Sequence, residues 1–153
     1  MRSRQRLLLE QLNTKMDAFK AAAGVPFPKR GWINLIRTSL NMTLEQLSNR
    51  LGMSRQGAQK IEERELSGNI SINTLSEVGR AMNMELVYGF VPKGGSIEAL
   101  ISTRAREVAK EIVLRTSHNM KLENQSNSEQ RIQKAIEELA FEIKNEMRKV
   151  LWD

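Results

Sequence analysis

The sequence predicts a mainly α-helical protein carrying one short strand. Three observations lead there: apolar residues recur at helical spacing along most of the chain, capping residues punctuate its middle at short intervals, and one run alternates with period two. The chain has 153 residues, 40% apolar and 27% charged, which leaves room for one compact domain plus further helices and argues against disorder throughout.

Residues 4–22 place Leu8, Leu12, Met16 and Phe19 at spacings of four, four and three, an apolar stripe on one helix. Such a stripe is expected to pack on the core of the short central helices that follow, with a dimer seam or a partner surface as the alternative. The stretch GVPFPKRG then intervenes, because Pro26 and Pro28 disfavour helix at the residues before them. A new helix is expected to begin near Gly31 or Trp32. Between residues 32 and 83 the pattern gives four short helices. The first ends at Asn41. The second opens with Thr43 and Gln46 spaced as a capping box and closes at Gly52, while Ser54 and Ser71 cap the third and fourth.

Residues 84–91 (MELVYGFV) change period. Leu86, Tyr88 and Phe90 fall on one face of a strand, Val87, Gly89 and Val91 on the other, and Pro92 ends it. A lone strand leaves its backbone groups without partners, so Leu86, Val87, Tyr88 and Phe90 are expected to pair with the same strand of a second copy, making a homodimer. Ser96 is placed to cap a helix in which Ile97, Leu100, Ile101, Ala105, Val108 and Ile112 form a stripe through about Arg115. Residues 116–128 are polar and read as loop-rich. A last helix starts at Glu129, with Ile132, Ile136, Leu139, Ile143, Met147 and Val150 on one side. Trp32 and Trp152 are expected to be buried anchors. The predicted organisation is an N-terminal helix and linker over residues 1–25, a central domain over 26–92 and a helical extension over 93–153.

Composition narrows the chemistry. There is no cysteine, and His118 is the single histidine, so no thiolate site, disulfide framework or histidine-rich metal cluster is available; no catalytic residue, metal or cofactor is assigned and the chain does not read as an enzyme. No run of about 18 apolar residues is present, which predicts a cytoplasmic protein with no membrane partner. The net charge of +6 suggests an anionic partner. Residues 1–30 hold seven Lys/Arg against two acids, residues 31–92 six against six, and residues 93–153 eleven against ten. Arg2, Arg4 and Arg6 therefore form a basic arm of the kind that follows a DNA backbone or enters a minor groove.

The strongest signal is TLEQLSNRLGMSRQGAQKIE, residues 43–62: a capped helix, a tight turn at Gly52 and Met53, and a second capped helix, which is the helix-turn-helix arrangement. At about 100° per residue from Arg55, the side chains of Glu62, Arg55, Gln59, Glu63, Gln56 and Lys60 share one outer arc, while Gly57, Ile61 and Ala58 face inward to dock on Leu47 and Leu51. Arg, Gln and Lys near the start of such a helix reach base edges in the major groove, which makes Arg55, Gln56, Gln59 and Lys60 the expected base contacts. Thr43, Ser54, Lys29, Arg30, Arg37 and Arg50 are the expected contacts to DNA phosphates. Glu62, Glu63 and Glu65 oppose a polyanion and should lie beyond the groove.

Residues 43–62 resemble the Cro/repressor-like (XRE-type) helix-turn-helix through Thr43, Leu47, Gly52, Ser54, Ile61 and Glu62. They depart from it at Leu44, Ser48 and Ala58, where that family commonly has Gln, Ala and Ile or Val; Leu44 removes the phosphate contact attributed to the Gln. Most of residues 30–153 is similar to the mobile mystery protein A family, through RGWINLIR, GNISINTL, ELVYGFVP, HNMKLENQ and the terminal LWD. That resemblance implies a repressor-like helix-turn-helix core with flanking helices. It further implies a DNA-binding regulator associated with mobile elements and encoded beside a Fic-domain protein, and by analogy an antitoxin that represses its own operon. The alternative is a protein-interaction antitoxin that mainly sequesters the Fic-domain toxin through its C-terminal helices. Some inhibitors of Fic proteins carry [ST]-x-x-x-E-[GN], matched in part by Thr103 and Glu107 before Val108. A two-fold dimer would place its recognition helices about 34 Å apart on double-stranded DNA and would call for an inverted-repeat operator.

Overall fold

The computed structural model describes residues 3–121 and 129–153. Among these are seven α-helices and no strand. The helices are α1 (Ser3–Asp17), α2 (Trp32–Ser39), α3 (Leu44–Leu51), α4 (Arg55–Ser67), α5 (Ile72–Ala81), α6 (Ile97–Lys121) and α7 (Glu129–Glu146), with short 3-10 turns at Lys20–Gly24 and Lys149–Trp152. The chain divides into two compact units, one formed by Ala22–Gly89 and the other by Met1–Ala21 with Phe90–Asp153.

In the first unit, helix ends follow from local chemistry. Thr43 closes a full capping box: its hydroxyl accepts from the Gln46 backbone N–H at 3.1 Å, and the Gln46 side chain accepts from the Thr43 N–H at 2.8 Å. The Ser54 and Ser71 hydroxyls accept from the N–H groups of Gly57 and Thr74, both at 3.1 Å. Gly52 and Gly68 end α3 and α4 in the left-handed region, at φ 66° and 76°. Ile33, Leu47, Ile61, Val78 and Met82 form the core, drawing one residue from each of α2–α5 and one from the cap that follows.

The start of α2 is handled differently. Its N-cap is Gly31, which has no side chain to offer. The cap comes instead from α4, where the buried Glu65 carboxylate accepts from the Ile33 N–H at 3.0 Å. Negative charge at a helix N-terminus is favoured by the exposed N–H groups there. Gly31 is required twice over: its φ is 88°, and a Cβ on it would collide with the Glu65 carboxylate.

In the second unit, α6 and α7 pack through Ile101, Ala105, Val108, Ala109, Ile136 and Ile143. Lys144 near the end of α7 meets Glu98 near the start of α6 at 3.4 Å, so the two helices run antiparallel. Arg104 draws in the last turn by donating to the Leu151 carbonyl at 2.5 Å and the Asp153 carbonyl at 2.8 Å, with Leu151 fully buried.

Several expectations are corrected. Residues 84–91 form no strand. Among the described residues nothing lies alongside to complete a ladder, and Val87, Tyr88 and Phe90 stay exposed while Leu86 is half-buried. The inner face of α1 is Leu9, Asn13 and Met16, with Leu8 and Leu12 exposed, and Leu9 packs against the α6–α7 core in place of the expected core of the central helices. Three consecutive leucines, 7–9, make the stripe's register ambiguous by one position. Helix α6 runs on to Lys121 instead of stopping near Arg115, with Ser117 buried on its inner side and the Thr116 hydroxyl donating to the Ile112 carbonyl. The remaining part of the expected loop, residues 122–128, lies outside the described residues, as does the side chain of His118. Trp32 and Trp152 are both exposed; the neighbouring Ile33 and Leu151 are the buried anchors.

Glu65→Ala removes the side-chain cap of α2 and leaves a buried N–H unsatisfied. It should lower stability by about 2 kcal/mol in urea unfolding followed by circular dichroism. A variant as stable as the natural protein would show that α2 does not depend on this cap.

Candidate nucleic-acid interface

The site is built by α3, the turn after it and α4. Gly52 in the left-handed region donates to the Asn49 carbonyl at 3.2 Å, and Met53 donates to Ser48 at 3.0 Å, which closes α3 and turns the chain sharply into α4. Two of the departures from the XRE-type pattern prove to be small residues at close contacts. Ser48 is buried with its hydroxyl donating to the Glu45 carbonyl at 2.7 Å, and Ala58 is fully buried. At Gly57 a Cβ would stand 3.3 Å from both the Met53 sulfur and the Ser54 hydroxyl oxygen, so the missing side chain gives the preceding turn room to fold over the first turn of α4.

On α4 the outer face carries Arg55, Gln56, Gln59, Lys60 and Glu63, all exposed, with Gln59 and Glu63 near one another at 3.5 Å. The inner face is Ala58, Ile61 and Glu65. The outer arc is corrected at one position. Glu62 turns toward α2, where Arg37 Nε donates to it at 2.6 Å and Asn34 Nδ2 at 3.1 Å. The Arg37 and Glu62 side chains are only 12% and 13% exposed.

Two of the three acids on α4 therefore act inside the unit. The same helical arithmetic puts Glu65 at about 280°, between Ile61 and Ala58, so its burial was readable from its position on the wheel. Its partner, 32 residues earlier, was not. With Glu62 and Glu65 engaged inward, the first two turns of α4 present Arg55 and Lys60 with no exposed acid before Glu63.

The residues expected at phosphates divide. Thr43 and Ser54 sit at the exposed N-termini of α3 and α4; each hydroxyl oxygen accepts a cap bond, and each keeps a hydrogen to donate. Lys29 and Arg30 are exposed ahead of α2. Arg50 is exposed and donates to the Ala81 carbonyl at 3.2 Å. Arg37 stands apart: besides Glu62 it donates to the Met42 carbonyl at 3.0 Å, so its guanidinium fastens α2 and the following turn to α4. Of the N-terminal arm, Arg4 is exposed, Arg6 pairs with Glu10 at 3.3 Å, and Arg2 lies outside the described residues.

No group of His, Asp and Glu among the described residues is arranged to hold a metal ion, and no described helix is long and apolar enough to cross a membrane.

A capped helix, a left-handed glycine turn and a second capped helix with a long polar outer face define a helix-turn-helix DNA-binding domain. Residues 33–88 match the family model described as Helix-turn-helix, so this segment is a helix-turn-helix domain of the XRE type, a regulatory DNA-binding class. The match covers α2–α5 and the start of the segment beyond them. No curated protein and no solved structure matches the chain.

Glu62→Ala leaves Arg37 in a poorly solvated site without its counter-ion. The loss should be about 3 kcal/mol in urea unfolding. Replacing both residues by apolar ones of similar size, Arg37→Met with Glu62→Leu, should recover most of it; equal losses in the single and double variants would contradict a coupled pair.

Proposed function

We propose that the protein is a sequence-specific transcriptional regulator that reads duplex DNA with the outer face of α4. One observation carries this reading: two of the three acids of α4, Glu62 and Glu65, are drawn inward onto α2, leaving Arg55, Gln56, Gln59 and Lys60 together at the exposed start of the helix. Arg55 suits guanine O6 and N7, Gln56 and Gln59 suit adenine N6 and N7, and Lys60 suits guanine acceptors or phosphate. Thr43 and Ser54, with Lys29, Arg30 and Arg50, supply the backbone contacts that set register. Arg37 serves this role indirectly, by holding α2 against α4.

In this reading two copies act together on an inverted repeat, their α4 helices entering successive major grooves. The finer assignment, an antitoxin-like autorepressor of an operon encoding a Fic-domain protein, rests on the family resemblance. Apolar side chains left exposed on α6 and α7, Ile112, Leu114 and Phe141 among them, are consistent with a protein partner for that unit. The Thr103 to Glu107 run is not assigned to inhibition: Glu107 is bonded by Arg104 at 3.1 Å and the following Val108 is buried. Co-expression with the product of the adjacent gene tests the partner; a chain that elutes alone sinks that assignment and leaves DNA binding untouched.

Arg55→Ala and Lys60→Ala should each weaken binding to DNA from immediately upstream of the coding sequence by about tenfold, with unfolding midpoints unchanged. Lys60→Ala should also reduce the slope of log affinity against log salt by about one if it meets phosphate. Unchanged affinity in both variants sinks the assignment of α4.

A further inference from the structure

We propose that residues 85–93 pair with the same residues of a second copy of this chain as a two-stranded antiparallel ribbon whose two-fold axis passes through Gly89. The proposal rests on the dimeric reading above and gives it a register.

Around this segment, backbone hydrogen bonding within the described chain ends where Met84 donates to Gly79 at 2.7 Å and resumes where Gly95 donates to Pro92 at 3.2 Å. Between those points Val87, Tyr88 and Phe90 are 72%, 66% and 80% exposed. Apolar side chains and backbone groups left open together at one place call for a strand partner.

Symmetry and chemistry then select the register. Side chains alternate faces along a strand, so a two-fold axis perpendicular to an antiparallel ribbon must pass through a residue that faces its own copy. An axis at Val87 would set Glu85 against Gly89, and one at Tyr88 would set Glu85 against Val91. An axis at Gly89 sets the exposed Glu85 against the exposed Lys93 of the other copy, twice per dimer. It also pairs Val87 with Val91, Tyr88 with Phe90 and Leu86 with Pro92.

Proline checks this arrangement independently. Antiparallel pairs alternate between hydrogen-bonded and non-hydrogen-bonded types. With the Gly89 pair hydrogen-bonded, Leu86 and Pro92 form a non-hydrogen-bonded pair, where the N–H that proline lacks is not needed. Tyr88 and Phe90 also fall in the closer, non-hydrogen-bonded type, which suits an aromatic pair. The hydrogen-bonded pairs supply about ten interchain backbone bonds.

The chain has no cysteine, so single cysteines report the register cleanly. Gly89→Cys should cross-link to its own copy under mild oxidation. Val87→Cys should not, because two copies of residue 87 lie about 14 Å apart in this register, beyond the roughly 7 Å that a disulfide spans between Cα atoms. In sedimentation equilibrium without DNA, Glu85→Lys and Lys93→Glu should each raise the dimer dissociation constant by about tenfold, and the double reversal should return it to within about twofold of the natural protein. Single and double reversals that are equally weakened, a Val87→Cys cross-link as efficient as that at residue 89, or a natural protein that stays monomeric at about 100 µM would each overturn the ribbon. Arg55→Ala should sediment as the natural protein does, so a dimer whose DNA affinity ignores α4 sinks only the α4 reading, and a monomer that still depends on Arg55 sinks only the ribbon.

Discussion

The grip of α4 on α2 runs through two carboxylates three residues apart on one helix, Glu62 and Glu65. Glu65 caps α2 from a distance, and Glu62 receives Arg37 and Asn34 from the next turn of α2. Bringing these groups out of water carries a desolvation cost, offset because each carboxylate meets charged or N–H donors at hydrogen-bond distance. Because Arg37 also donates to the Met42 carbonyl, the same guanidinium sets where the chain leaves α2 and enters α3. The position of the turn, and with it the exposed start of α4, follows from this clamp.

The clamp also has an electrostatic consequence. By formal count residues 31–92 are neutral, six bases against six acids, which by itself does not favour a polyanion. The fold separates those charges. Glu62 and Glu65 are spent inside on Arg37 and on the N-terminus of α2, while Arg55 and Lys60 remain outside. A neutral sequence thus presents a locally basic helix start, the form of charge that backbone and base-edge contacts use.

What could be read in advance was whatever is local in sequence. The Thr43 and Gln46 capping box, the left-handed Gly52, and the Ser54 and Ser71 caps each involve residues within one helical turn, and each stands where its spacing placed it. The family match falls on this same densely punctuated stretch. Features whose partners are distant are not legible from local spacing. In sequence Glu65 reads as a repulsive acid because the α2 N-terminus it caps lies 32 residues away, and Arg37 reads as a phosphate ligand because Glu62 lies 25 residues away. The period-two run at 84–91 is plain in the sequence, yet no neighbour among the described residues pairs with it as a strand. The register of α1 depended on choosing among three adjacent leucines, a choice set only by the α6–α7 core on which Leu9 packs.

The central claim is that DNA meets the exposed start of α4 and not the α6–α7 unit. Backbone amide shifts of the full chain, followed by NMR during titration with duplex from upstream of its coding sequence at low salt, test it directly. The largest changes should cluster at Ser54, Arg55, Gln56, Gln59 and Lys60, with smaller ones at Thr43. Changes confined to α6 and α7, with α4 unmoved, would contradict it.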